Sequence, residues 1–312
     1  MPRAKAPPAT DYAALPTEAE NPQSAHLDTL PAEEVVKLML EEEAAAVRAV
    51  RARHKEIAQA ARLIAEKLAP GGRLIYVGAG TSGRLGTLDA AECVPTFGVP
   101  PSRVLGIIAG GPVALTKSVE GAEDNPREAE QRMRRVAVGP ADVVCCIAAS
   151  GVTPFSRAAL EYAHFRRAAT IFLTCARLRD DDRPACDVII ELTTGPEVIA
   201  GSTRLKAGTA TKLVLNALST TAFVLLGKTY GGLMVDVRPT NTKLWARAVR
   251  IVTRLAPLDE DEALKLIKKA GGRAKVALVM HHARVNAARA KELLIQHKGS
   301  LRAIVGDLDV KE

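Results

Sequence analysis

The run Arg73-Leu74-Ile75-Tyr76-Val77-Gly78-Ala79-Gly80-Thr81-Ser82-Gly83-Arg84 decides the fold. Its first five residues have the length and apolar content of a short strand, and the glycine- and hydroxyl-rich turn that follows opens onto a helical pattern. The strand signal recurs at 104–108, 142–148, 169–175 and 188–192, each a short Val/Ile/Leu-rich run. Most of the intervening segments are long enough for a crossover helix, so the strands are expected to run parallel. An α/β fold follows: a doubly wound, flavodoxin-like parallel sheet flanked by helices.

Outward from this unit, Ala32 to Leu68 reads as one helix, with Ile57, Ala61, Ile64 and Leu68 at helical spacing and Pro70-Gly71-Gly72 as its stop. Residues before about 33 are Pro-rich and irregular. Lys206 to Leu226 reads as a long helix closing the sheet unit. Farther on, Asp259-Glu260-Asp261-Glu262 marks a helix start by its match to the dipole, and 275–288 and 290–295 suggest further short helices. The expected organisation is an N-terminal extension with helices over 1–63, the sheet unit over 64–230, a connecting segment over 231–254 and a C-terminal helical module over 255–312.

At 312 residues, 47% apolar and 25% charged, the chain is expected to fold around a core of its own. No apolar run approaches the roughly 20 residues of a membrane span, and the basic, Pro-rich start lacks the apolar stretch of a secretory signal. A cytoplasmic protein is expected. Five cysteines without a CxxC or Cys/His ligand spacing argue against structural zinc, and no metal is expected. The net charge of +8 is concentrated: 243–312 carries 15 Lys and Arg against 8 Asp and Glu, while the first 242 residues are net +1. With only 3% aromatics and dispersed cations, nucleic acid is not an expected partner. Solvated helix faces, or a field attracting a small anion, account for the charge.

In an open parallel sheet the ligand binds beyond the carboxyl ends of the strands. Two such loops stand out: Gly78 to Arg84 after the first strand, and Ala149-Ser150-Gly151-Val152-Thr153-Pro154 after the third. Each sets glycine and hydroxyls where a helix begins, which supplies free N–H groups, a positive dipole end and Ser/Thr donors for a phosphate. Gly80, Thr81, Ser82, Gly83, Ser150, Gly151 and Thr153 are the candidate binding residues, although tight turns favour the same residues as caps. The spacing Gly78-x-Gly80-x-x-Gly83 also fits a dinucleotide fingerprint. Strand two, however, ends in Ala109-Gly110-Gly111 without the acid that would bind a ribose, so NAD is not expected.

Two carboxylate clusters are candidates for proton transfer. Glu92 lies beside Asp89 among Ala90, Ala91 and Cys93, a setting expected to disfavour its charged form and suit a general acid; Glu123 lies in Val119-Glu120-Gly121-Ala122-Glu123-Asp124. The six histidines are scattered outside these loops. A third segment, Gly195 to Thr209, offers Ser202 and Thr203 as caps or ligands; Lys206 fits an anion-binding role and an ordinary exposed helix position equally well.

Gly78 to Gly86, Asp89 to Cys93, Pro95 to Gly98, Val119 to Asp124, Gly195 to Thr209 and Gly232-Leu233-Met234-Val235-Asp236-Val237 together resemble the N-acetylmuramic acid 6-phosphate etherases, a family built on the sugar isomerase (SIS) domain. The likeness runs from about Thr17 to the C-terminal helices. It departs at Ala91, where Ser is common, and in the extension before Thr17. The resemblance implies an SIS-type sheet and a carbon–oxygen lyase that releases D-lactate from N-acetylmuramic acid 6-phosphate during cell-wall recycling. It also implies a homodimer and no metal or organic cofactor. Glu92 takes the position of the proton donor to the leaving oxygen and Glu123 that of the second catalytic Glu. Ser82, Ser150, Thr153, Thr81 and Gly151 fall around the phosphate. A sugar-phosphate isomerase of the SIS type, or a sugar-phosphate sensor like the glucokinase regulatory protein, are the alternatives.

Overall fold

Apolar runs of four to six residues, spaced by amphipathic helices, build a five-stranded parallel sheet in the computed structural model, which describes residues 15–308. The strands are β1 (Leu74–Gly78), β2 (Val104–Ile108), β3 (Val143–Ile147), β4 (Ala169–Thr174) and β5 (Val188–Glu191), in the order β2-β1-β3-β4-β5. Every residue of β1, β3 and β4 is buried, as expected of strands covered on both faces. The expected strands and their parallel sense are all present. The Pro-rich stretch through residue 14 lies outside the described residues.

Successive side chains along a strand point to opposite faces, and two cores form accordingly. Leu74, Tyr76, Cys145 and Ile171 pack on one side with α2 (His54–Leu68), α3 (Gly80–Phe97) and α6 (Lys206–Leu225). Ile75, Val77, Val144, Cys146 and Phe172 pack on the other with α4 (Pro126–Arg135) and α5 (Pro154–Phe165). Cys145 and Cys146 thus enter different cores, where burial pushes both thiols up and leaves them small apolar fillers.

The helix expected over Ala32 to Leu68 is two helices, α1 (Ala32–Ala52) and α2, broken at Arg53. Arg53 leaves helical geometry (φ −107°, ψ 22°), and its Nε donates to the carbonyl of Glu191 at the end of β5, 2.9 Å away. The break lets α2 bury Ile57, Ile64 and Leu68 on the sheet while α1, with Ala46 its one buried residue, lies along α6.

Beyond the sheet, α7 (Thr242–Leu255), α8 (Glu260–Lys269), α9 (Ala274–Ala283), α10 (Ala287–Gln296) and α11 (Arg302–Val305) share a separate core that includes Val235, Ile251, Ile267, Val279 and Leu301. Residues 231–254, read above as a connector, contribute Val235, Val237 and α7 to it. Asp259 and Glu262 form a capping box at the start of α8. The helix expected over 275–288 stops at Ala283 because Arg284 turns left-handed (φ 54°), and Asn286 then caps α10.

α3 reaches the sheet through glycines. A Cβ on Gly106 of β2 would stand 2.5 Å from Cα of Thr87, and one on Gly83 would stand 2.6 Å from the carbonyl oxygen of Gly78. Gly106→Ala is therefore expected to destabilise the chain by about 2 kcal/mol through overpacking, read as a lower urea midpoint at unchanged slope.

Candidate active site

The register sets Gly78 at the end of β1 beside Ile147 at the end of β3, so the loops leaving the two strands start side by side. After β1 the chain turns at Gly80 (φ 51°) into α3, whose first helical bond runs from Gly83 N–H to Ala79 O at 3.2 Å. The amides of Gly80, Thr81 and Ser82 precede that bond and belong to the open end of the helix. After β3, Gly151 (φ 80°) makes the turn into α5, which opens with Pro154 at its first position. Arg157 holds this loop from below, its Nε donating to Gly151 O at 2.7 Å.

Between the two loops lies a cleft of about 320 Å³. Gly80, Thr81, Ser82, Ser150 and Thr153 line it together, as the sequence suggested. Glu123 and Asp124 form one wall, on a short turn behind Gly121 (φ 71°). Arg84 braces the approach to that turn by donating to the carbonyls of Ala114 and Lys117 at 3.0 and 3.1 Å. Burial, then the charges of Asp124 and Glu120, raise the pKa of Glu123. Thr17, Gly201 and Thr203 make the opposite wall, joined by a bond from Gly201 N–H to Thr17 O at 3.0 Å. The Thr17 hydroxyl is buried and has no hydrogen-bond partner among the described residues.

Over this geometry the comparisons with known proteins are consistent. Residues 56–164 match the glucokinase regulatory protein N-terminal SIS domain family. An N-acetylmuramic acid 6-phosphate etherase of Rhodopirellula baltica is 45% identical over 93% of this chain and 96% of its own, and one of Gloeobacter violaceus is 54% identical over 87% and 88%. The chain belongs to the N-acetylmuramic acid 6-phosphate etherase family. A solved phosphoheptose isomerase from Francisella tularensis aligns at 18% identity and a TM-score of 0.48, over 62% of this chain and all of that one. Identity to etherases over nearly the whole chain does not favour the isomerase or sensor alternatives.

Several expected site residues of this etherase-family chain sit elsewhere. Gly83 and Gly151 lie beneath the loops: a Cβ on Gly151 would meet Leu178 Cδ2 at 2.6 Å, so these glycines shape the backbone. Ser202 forms the turn between Gly201 and Thr203, with its N–H bonded to Ile199 O, but does not line the cleft. Neither Ser202 nor Thr203 caps α6; Glu197 does, accepting from the amides of Lys206 and Ala207 at 3.1 and 2.9 Å. Lys206 is buried, its ammonium 2.5 Å from Glu42, which also accepts from Asn21. This corrects the cap assignment, and it places Lys206 at neither an exposed helix position nor the cleft: its charge is matched by α1.

Glu92 is the larger departure. It is exposed, and the buried position expected for it belongs to Asp89, one turn earlier. Asp89 accepts from the Tyr76 hydroxyl at 2.9 Å and the Ser219 hydroxyl at 3.3 Å and lies 3.6 Å from the Lys212 ammonium. Burial nevertheless raises its pKa. Glu92 lies twelve residues along α3 from Gly80, about 18 Å at the helical rise, and does not line the cleft. Among residues that do, Thr203 came from the Gly195 to Thr209 segment, whereas Thr17 went unrecognised, since no local pattern links it to the loops.

Two predictions follow from these buried charges. Glu42→Gln leaves the Lys206 ammonium buried without its counter-charge and is expected to cost about 3 kcal/mol, whereas adding Lys206→Met should recover much of that loss in urea titrations. For Asp89 the raised folded-state pKa means that the native state holds its proton longer than the unfolded chain, so the group's contribution to stability falls as pH rises above 3.8. Asp89→Asn removes that titration. Its stability relative to wild type is expected to improve between about pH 4 and about pH 7, measured by denaturation at both values.

Proposed function

We propose that the chain cleaves the D-lactyl ether of N-acetylmuramic acid 6-phosphate, giving N-acetylglucosamine 6-phosphate and D-lactate in the recycling of cell-wall amino sugars. The observation that carries this reading is the meeting of two hydroxyl-bearing helix starts, with Glu123 on the wall above them, in a chain of this family. The phosphate sits on the amides of Thr81 and Ser82 and the hydroxyls of Ser82, Ser150 and Thr153, where helix dipoles and free N–H groups favour an anion.

With the phosphate anchored, the open-chain sugar presents an aldehyde at C1 that acidifies the C2 proton. A carboxylate removes that proton, the C3–O bond breaks, and a carboxylic acid protonates the departing lactyl oxygen. Water then adds at C3 of the unsaturated aldehyde and a proton returns to C2, so the net change is hydrolysis. Glu123, whose pKa is raised toward the working range, and Glu92 are the two groups.

Glu92 does not line the cleft that holds Glu123 within one chain, and a second copy that brings its own Glu92 to the cleft reconciles the two roles. Exposed apolar residues on α3, α1 and α6 suit a homodimer. Leu88, one turn before Glu92 on the same face of α3, is 47% exposed, and Val36 and Leu40 on α1 and Val224 and Leu225 at the end of α6 are likewise apolar and uncovered. A cytoplasmic setting suits the five free cysteines, and no helix among the described residues is long and apolar enough to cross a membrane.

Subunit mixing tests the whole arrangement. Glu92→Gln and Glu123→Gln are each expected to abolish D-lactate release from N-acetylmuramic acid 6-phosphate. If each site takes its two Glu residues from different copies, an equal mixture of the variants, unfolded and refolded together, should regain about a quarter of wild-type activity, because half the dimers are mixed and each holds one intact site. A mixture as inactive as its components would place both residues in one subunit.

A further inference from the structure

A second cleft, of about 450 Å³, lies in the C-terminal module and shares no lining residue with the first. Its walls are the Arg238-Pro239 segment, Trp245 on the first turn of α7, Lys268 near the end of α8, and the turn Gly271-Gly272 leading to Arg273. Three cations line it and no carboxylate does. Among the described residues none of the three is ion-paired. The nearest acid in sequence, Asp236, is already engaged by Lys228 and Lys275 at 3.1 and 3.0 Å. Cations such as Arg73 and Lys206 are matched by Asp142 and Glu42, whereas these three share one concavity that no carboxylate lines.

The aromatic lining is equally distinctive. Trp245 is the single tryptophan of the chain, and it is half-buried at this wall. Gly271 and Gly272 turn with φ of 68° and 77°, which side chains rarely adopt. A Cβ on Gly272 would stand 3.9 Å from both Pro239 Cγ and the Cη2 of Trp245, so the glycine leaves that edge of the indole uncovered. Guanidinium groups bind phosphate in bidentate fashion, and an indole face stacks on flat rings and on the C–H face of sugars.

We propose that this cleft binds a phosphorylated ring molecule, its phosphate held by Arg238, Lys268 and Arg273 and its ring laid against Trp245. Nucleotides and sugar phosphates share that chemistry. The site is independent of the etherase reading, since none of its residues belongs to the cleft at the sheet.

Because Trp245 is the only indole, its fluorescence reports on this cleft directly. The full chain is titrated at fixed ionic strength with ADP, with N-acetylglucosamine 6-phosphate and with inorganic phosphate. A saturable change in Trp245 emission is expected with at least one of the two ring phosphates, and the one that saturates identifies the source. Inorganic phosphate should bind at least about tenfold more weakly, and Arg238→Gln and Arg273→Gln should each weaken the ring ligand by about tenfold while D-lactate release stays at the wild-type rate. No saturable change with either ring phosphate, equal affinity for inorganic phosphate, or affinity unaltered in both Arg variants would each overturn the proposal.

Discussion

The site depends on one divergence of the chain. Gly78 and Ile147 end neighbouring parallel strands in register, yet the helix after β1 packs on one face of the sheet and the helix after β3 on the other. The crevice between them is a consequence of strand order, because β2 lies outside β1 and the chain must return across it to start β3. Two helix starts therefore open on the same space. Free amides that would be a liability at a buried helix end open onto the cleft here, which Ser82, Ser150 and Thr153 also line.

Holding that crevice in shape takes close backbone contact and matched buried charge. Gly83 and Gly106 let α3 approach β1 and β2 more closely than any side chain would permit. Below the crevice, Asp89 ties α3 to β1 through Tyr76 and to α6 through Ser219, with Lys212 offsetting part of the cost of burying the carboxylate. At the start of α6, Glu197 and the Lys206–Glu42 pair bind the helix end to the 195–205 segment and to α1. Gly201 and Thr203 of that same segment line the crevice and are joined to Thr17 through Gly201, so the N-terminal region contributes to its wall.

The strands and the two cleft loops were legible in the sequence because their information is local: an apolar run of five residues, then glycine and hydroxyl residues where a helix must begin. Lys206 was not. Glu42 is 164 residues away, and no window of sequence reveals that a lysine after a Gly/Ser/Thr-rich loop is already neutralised. The cap of α6 failed for a similar reason, since Glu197 reaches the helix from outside the usual capping position and displaces Ser202 and Thr203 from that role. The break at Arg53 is set by a carbonyl on β5 and carries no Gly or Pro to announce it.

Glu92 shows how a correct observation about neighbours can give the wrong environment. Ala90, Ala91 and Cys93 are small or apolar, but consecutive residues of a helix point about 100° apart, so apolar neighbours in sequence do not bury the residue between them. Asp89, Ala90 and Cys93 face inward, while Leu88 and Glu92, four residues apart, share the outward face. A carboxylate beside an uncovered leucine has little value to a lone chain. Ala90 and Cys93 use their apolar character to pack α3 into the core and leave Glu92 uncovered. The sequence pattern around Glu92 thus records the core face of α3 and not the surroundings of the acid itself.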